Sequence, residues 1–171
     1  MTLSDSLSAL EHTSLATAMS GQLGGEWLFP IVETLHVISL AMVFGSIVMV
    51  DLRLLGAASR NSAVSRLSHE VLPYTWGAFG CAIVTGTLLF ISKAHVYFHN
   101  LQFQLKFLCM LLAGVNMLVF HFGAYRHVLE WDERQPPPRA AQLAGALSVT
   151  LWIGVIFFGR WIGFKIGRAH V

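Results

Sequence analysis

Two residues able to do chemistry, Glu33 and His36, lie one helical turn apart inside a long apolar stretch of the chain. The stretch runs from Leu28 to Val50, and a bilayer core of about 30 Å needs roughly 20 helical residues to cross it. A carboxylate or an imidazole at that depth is costly unless it is paired or faces the interior of a helix bundle. Glu33 and His36 are therefore the first candidates for a functional site.

The imidazole of His36 has two interpretations. It is either a neutral side chain hydrogen-bonded to Glu33, Ser39 or a neighbouring carbonyl, or a ligand to haem iron or copper, since imidazole suits both metals. Of the eight histidines, His36 alone lies well inside an apolar stretch. Both interpretations stay open at this point; as a metal ligand, His36 would be the axial ligand of a haem b or, alternatively, a ligand of copper.

Several side chains are candidates for a second ligand. His95 and His99 follow the second apolar stretch, at an expected depth about 10 Å outside that of His36. Met110, on the third stretch, lies nearer its level. A second cluster is expected near the other face, from His69, His121 and His127.

Polar residues on the first and third stretches fall on one face of each helix. At about 100° per residue, the first stripe covers an arc of about 140°. Its members are Glu33, His36, Ser39, Ser46 and Asp51. The second stripe is Lys106, Met110, Ala113, Asn116, Met117 and His121. Because Glu33 and Lys106 have the same expected depth, we expect them to pair, either as a structural ion pair or beside a haem propionate.

The elements that must hold these residues are transmembrane helices. The chain has 171 residues, of which 55% are hydrophobic and only 12% charged, and its mean hydropathy is +0.63, which is outside the balance of a soluble domain. Four stretches have the required length: Leu28 to Val50, Tyr74 to Ile91, Phe103 to Phe122 and Leu143 to Phe164. We predict an all-α fold, a transmembrane four-helix bundle over residues 26–171.

Local signals outside the four stretches predict smaller elements. Apolar residues recur at helical spacing before the first stretch: Leu3, Leu7, Leu10 and Ala18. Three glycines then break the pattern: Gly21, Gly24 and Gly25. Residues 1–25 are thus predicted to form an amphipathic surface helix and a glycine-rich linker. Residues 61–70 predict a short helix leading into Pro73, and the run Pro136 to Pro138 predicts a stiff loop.

Basic residues predict the orientation in the membrane. They occur after the first and third stretches, at Arg53, Arg60, Arg66, Arg126, Arg134 and Arg139. By the positive-inside rule these loops are cytoplasmic and both termini periplasmic, in a bacterial inner membrane. The net charge is only +2, and the Lys and Arg residues are dispersed through the loops, so no nucleic-acid partner is expected.

Small residues at four-residue spacing predict where helices approach closely. These are Ala41 and Gly45, then Gly77, Cys81 and Thr85, then Gly159 and Gly163.

Short motifs give the chain a resemblance to known families. The first span carries Leu35-His36 with Gly45 beyond it, the second Thr85-Gly86, and the third Leu105-Lys106 followed by Asn116. This pattern resembles small bacterial four-span proteins, among them the copper-resistance D domain and, more distantly, the HemJ-type membrane protoporphyrinogen oxidases. The segment His36 to Gly56 is also similar to an uncharacterised bacterial membrane family.

The resemblance implies functions for particular residues. In the HemJ-type enzymes a first-span histidine and a later lysine are associated with haem binding, and His36 and Lys106 match them. The copper domain implies a role in holding or moving copper.

Three functions are therefore expected. The first is a b-type haem protein in electron transfer to a quinone or a partner subunit, with His36 as ligand and Glu33, Lys106, Met110 and Asn116 around the cofactor. If the chain is an enzyme, it is a membrane oxidoreductase. The alternatives are a copper-handling or small-solute permease and a cofactor-free assembly subunit in a homo- or hetero-oligomer.

Overall fold

The chain is built mainly of helices. The computed structural model describes residues 3–19, 27–58, 63–132 and 136–168, and within these ranges no strand is found. The all-α prediction is therefore confirmed. The helices are α1 (Leu3–Glu11), α2 (Ser14–Met19), α3 (Leu28–Leu54), α4 (Val64–Ser92), α5 (Ala94–Phe98), α6 (Leu101–Phe122), a 3₁₀ turn (Ala124–His127), α7 (Val128–Trp131) and α8 (Arg139–Arg168).

Four of the helical segments are long and apolar enough to cross a bilayer. They are Leu28–Leu54, Val64–Ser92, Leu101–His127 and Arg139–Gly163. Much of their apolar surface is exposed, as at Leu111 (65%) and Val119 (68%), because lipid tails rather than protein solvate a membrane helix. The chain is a multi-pass membrane protein, as predicted.

The chain divides into two compact units. The first unit comprises Met1–Val43 and Trp76–Leu101, and the second comprises Phe44–Thr75 and Gln102–Val171. The predicted boundary between residues 25 and 26 lies outside the described residues, as do Gly21, Gly24 and Gly25.

In the first unit the N-terminal residues form two helices instead of the single one expected. Helix α1 packs on α5, with Leu7 buried. The Glu11 carboxylate accepts the backbone N–H of His95 at 2.8 Å. The hydroxyl of Thr13 accepts the backbone N–H of Ala16 at 3.3 Å, which caps the start of α2. The predicted amphipathic helix is therefore present as α1, and a second helix, α2, begins directly after Thr13.

Helix α4 corrects the prediction of a separate short helix before Pro73. It runs without a break from Val64 through Pro73 to Ser92. Proline is tolerated inside membrane helices because neighbouring groups satisfy the freed backbone carbonyl. The run Pro136 to Pro138 is non-helical, as predicted, and α8 begins directly after it.

The second unit has a buried cluster where helices begin and end. Its apolar members are Leu54, Val64, Val128, Trp131 and Ala141. The carboxylate of Asp132 accepts hydrogen bonds from the backbone N–H groups of Val64 and Ser65 and from the Ser65 hydroxyl. Arg53 donates to the Asp132 carbonyl oxygen at 3.0 Å. Asp132, which directly follows α7, thus caps the N-terminus of α4.

Close helix contacts occur at some of the predicted small residues and not at others. Thr85 of α4 contacts His36 of α3, and Gly159 of α8 lies along the stem of Lys106. A Cβ added at Gly145 would lie 3.1 Å from the Asp51 carbonyl oxygen, so α3 and α8 meet there. At Gly45, Gly77 and Gly163 no described atom lies within 4 Å of such a Cβ, and the prediction for these three is wrong. Helix periodicity locates a small residue on a face, but only packing shows whether another helix covers that face.

Candidate functional site

The strongest candidate site lies in the first unit, where α3 and α4 meet at His36. The His36 Nδ1 atom lies 3.0 Å from the Thr85 hydroxyl oxygen. Thr85 is 6% exposed and lies 49 residues after His36 in the sequence. The imidazole is thus turned toward a neighbouring helix, as the polar stripe predicted.

The partners of Thr85 determine the protonation of the ring. The Thr85 hydroxyl lies 2.7 Å from the Cys81 carbonyl oxygen, to which it donates its single proton. It therefore accepts from His36, so that Nδ1 carries the hydrogen. In the neutral ring the lone pair then lies on Nε2. Metal-binding histidines are usually held in the same way, with the other ring N–H donated to a fixed acceptor.

Gly86 leaves the space in which the ring lies. A Cβ at this position would lie 2.9 Å from His36 Cε1 and 3.5 Å from Nδ1. Any larger residue would displace the imidazole from α4. Thr85 and Gly86 therefore act together, one orienting the ring and the other leaving room for it.

Glu33 and Ser39 flank His36 on α3. Ser39 is buried at 5% exposure, and its hydroxyl donates to the Leu35 carbonyl oxygen at 2.7 Å. The Glu33 side chain is exposed, which corrects the expectation that it faces inward. Burial, and to a smaller extent the charge of Glu33, raise the pKa of Tyr97 on α5. Glu33 is thus close enough to α5 to act on it electrostatically.

The other predicted ligands of the first unit, His95 and His99, lie next to each other. Their ring centroids are 4.6 Å apart. The His99 Nδ1 atom lies 3.0 Å from the His95 carbonyl oxygen. Both rings are exposed on α5 and its C-cap.

The remaining candidates belong to the second unit. The stem of Lys106 runs along Gly159 of α8, with Cδ 3.8 Å from the position of an added Cβ. Asn116 Nδ2 donates to the Ala144 carbonyl oxygen at 2.9 Å, so this amide joins α6 to α8. Because Glu33 and Lys106 belong to different units, their pairing stays a prediction.

Two members of the predicted stripe on α6 do not face inward. Met117 is 50% exposed, and His121 is exposed and stacks on Tyr125 with centroids 5.2 Å apart. Met110 is half-buried. The inward face of α6 is therefore narrower than the sequence indicated, and centres on Ala113 and Asn116.

Comparison with known proteins yields one family. The model of a family of unknown function, DUF6644, matches residues 11–165. The chain belongs to the DUF6644 family. The matched residues contain all the candidate site residues named above. No curated protein and no solved structure matches the chain.

The site contains residues that the sequence did not single out for it. Thr85 and Gly86 carried a resemblance but had no assigned contact with His36. The signal was present, because a threonine and a glycine side by side inside an apolar helix provide a hydrogen-bonding group next to a gap. Among the described residues no group of three or more His, Cys, Asp or Glu side chains is arranged to hold a metal ion.

Proposed function

We propose that this chain is a membrane haem protein in which His36 Nε2 is an axial ligand of the iron. The observation that carries the proposal is the 3.0 Å contact between His36 Nδ1 and Thr85. Because Thr85 donates its proton to the Cys81 carbonyl oxygen, this contact places the ring hydrogen on Nδ1. A metal-ligating histidine characteristically donates its other ring N–H to a fixed acceptor. A buried hydroxyl on another helix is such an acceptor.

The residues present fit a haem in two respects. Imidazole is the axial ligand of many haem proteins, and here its tautomer and direction are set by a neighbouring helix. Gly86 allows the ring to lie directly against the backbone of α4, so the imidazole is held between two helices. A ligand held in this way loses little rotational freedom on binding a metal.

The chain's own residues would orient and tune the cofactor. Haem iron, when bound, exchanges single electrons, which suits a membrane protein that passes electrons to a quinone or a partner subunit. Donation from Nδ1 to Thr85 makes Nε2 a stronger ligand and favours the oxidised metal. Within the first unit, Glu33 would be the charged side chain one helical turn from the iron ligand. A bacterial inner membrane with both termini periplasmic is part of this proposal.

Absorption spectroscopy tests the proposal directly. The protein is purified in detergent, reconstituted with haem and examined for a Soret band. We expect a band in the wild type, none in His36→Gln, and an unchanged band in His69→Gln, whose ring is exposed on α4 in the second unit. Equal haem content in wild type and His36→Gln would overturn the assignment.

The same hydrogen bond also favours a second candidate, a cofactor-free subunit in which His36 sets the register of α3 against α4. Interhelical polar pairs stabilise membrane helices by about 0.6 to 1.7 kcal/mol. In that case the wild type binds no haem, and His36→Gln lowers thermal stability only. Elemental analysis of the same samples tests the copper alternative.

A further inference from the structure

A second candidate site lies on α5, the short helix that follows the second membrane span. His95 and His99 lie four residues apart, which places both side chains on one face of a helix. The ring centroids are 4.6 Å apart with an angle of 37° between the ring planes. Both rings are exposed, so an ion in solution has access to them.

Hydrogen bonding sets the protonation of one of these rings. A carbonyl oxygen can only accept, so the 3.0 Å contact between His99 Nδ1 and the His95 carbonyl requires the hydrogen on Nδ1. The lone pair of the neutral His99 ring then lies on Nε2. A backbone carbonyl that holds Nδ1–H is the usual partner of a metal-binding histidine.

Helix α1 supports α5 and contributes a negative charge beside it. The Glu11 carboxylate accepts the backbone N–H of His95 at 2.8 Å. This contact anchors α5 at its first turn and places a negative charge beside His95. This negative charge offsets the positive charge of Lys93, the N-cap of α5, and so reduces the repulsion of a cation.

We propose that His95 and His99 form a binding site for one divalent transition-metal ion of the Cu²⁺, Ni²⁺ and Zn²⁺ class. Two histidines at this spacing on one helical face are a recurrent ligand pair, and imidazole nitrogens bind these ions at about 2.0–2.1 Å. With the ring centroids 4.6 Å apart, the two rings are close enough for side-chain rotation to direct both Nε2 atoms to one ion. Water completes the coordination. The site is separate from the proposed haem ligand His36 and does not depend on it.

The test uses the full-length, detergent-solubilised protein carrying a purification tag without histidines. Cu²⁺ is titrated in, and binding is followed by calorimetry and by electron paramagnetic resonance. We expect one ion per chain, with a spectrum that shows two coordinating imidazole nitrogens. In His95→Gln and in His99→Gln we expect affinity to fall by at least about tenfold, with one nitrogen remaining. The matched control His69→Gln, also an exposed histidine, should bind as the wild type does.

Two results would overturn the proposal. The first is unchanged affinity or an unchanged two-nitrogen spectrum in either variant. The second is loss of haem from the reconstituted His95→Gln or His99→Gln protein, since that would assign the ring to the haem. Because haem binding by His36 and Cu²⁺ binding by α5 are measured independently, either can fail while the other holds.

Discussion

The imidazole of His36 on α3 and the hydroxyl of Thr85 on α4 form a hydrogen bond between two membrane-spanning helices. The same hydroxyl donates to the Cys81 carbonyl oxygen of its own helix. A threonine bonded to its own backbone in this way has no second proton to give, so it can only accept from the histidine. The backbone of α4 thereby places the hydrogen of a ring on α3 on Nδ1 and leaves the lone pair of the neutral ring on Nε2, the atom proposed to bind iron.

Replacing Thr85 with valine removes the acceptor while keeping the shape of the side chain. We expect Thr85→Val to lower the free energy of unfolding by about 0.6 kcal/mol and by no more than about 1.7, the average and the maximum for interhelical hydrogen bonds in membranes. It should also raise the midpoint potential of a reconstituted haem, because His36 becomes a weaker donor to iron. Thermal unfolding in detergent and redox titration measure the two effects.

Thr87→Val is the matched control for that change. The Thr87 hydroxyl donates only to the Ile83 carbonyl oxygen of its own helix, at 2.8 Å, and the side chain is exposed. Equal effects of the two valine substitutions would show that the His36 contact contributes nothing specific.

Replacing Gly86 with alanine should displace the His36 ring. The new Cβ would lie 2.9 Å from Cε1, and relieving such a contact costs about 1–3 kcal/mol. The Soret band of the reconstituted protein should weaken. Gly80→Ala on the same helix, where no described atom is within 4 Å of the Cβ, should be neutral or stabilising, since alanine favours the helix by roughly 1 kcal/mol. Similar haem content in both variants would contradict the role of Gly86.

Removing the Asp132 carboxylate should destabilise the start of α4. The buried Asp132 side chain caps Val64 and Ser65, and loss of an N-cap costs about 0.5–2 kcal/mol. Chemical unfolding of Asp132→Ala should show a loss near the upper end of this range, because Ser65 also loses its hydroxyl partner. Asp132→Asn keeps an acceptor oxygen and should lose less.

Glu70→Gln provides the comparison for Asp132. Arg66 and Glu70 form an ion pair at 3.1 Å whose side chains are 79% and 61% exposed. Solvent screens such a pair, so it contributes no more than about 0.3–0.5 kcal/mol. A loss in Glu70→Gln as large as that in Asp132→Ala would be evidence against the buried cap.

The Tyr97 phenol reports on the charge of Glu33. Its pKa is raised above the usual 10.0, mainly by burial and further by Glu33. Glu33→Gln should therefore lower the pKa of Tyr97 part of the way back, as ultraviolet absorbance at alkaline pH will show. An unchanged pKa would mean that Glu33 does not act on α5.

The same shift predicts how stability changes with pH. Above about pH 10 the unfolded chain releases the Tyr97 proton while the folded chain keeps it. The folded state then holds more protons, so the stabilising contribution of Tyr97 is complete below that pH and is lost as pH rises through the folded-state pKa. Glu33→Gln should weaken this loss.

The sequence by itself determined the class of the protein and the position of its membrane spans. Length and apolarity suffice for this, because a bilayer imposes the same thickness and the same demand for internal hydrogen bonding on every helix. It also identified His36 as a candidate site residue, because an imidazole inside an apolar stretch differs from its neighbours in polarity. The sequence predicted the helix ends less well than the spans, because α4 continues through Pro73, where a separate short helix was expected to end.

Only the tertiary structure decided which residues meet. Thr85 lies 49 residues from His36, and Asp132 lies 68 residues from Val64. Such contacts depend on the rotation and register of one helix against another, which a helical period leaves open. Gly145 packs closely against α3 while Gly45 does not, although both are small residues in apolar helices. A sequence lists the groups that can bind or pack, but the partner of each is set by the sum of many weak contacts along the whole helix.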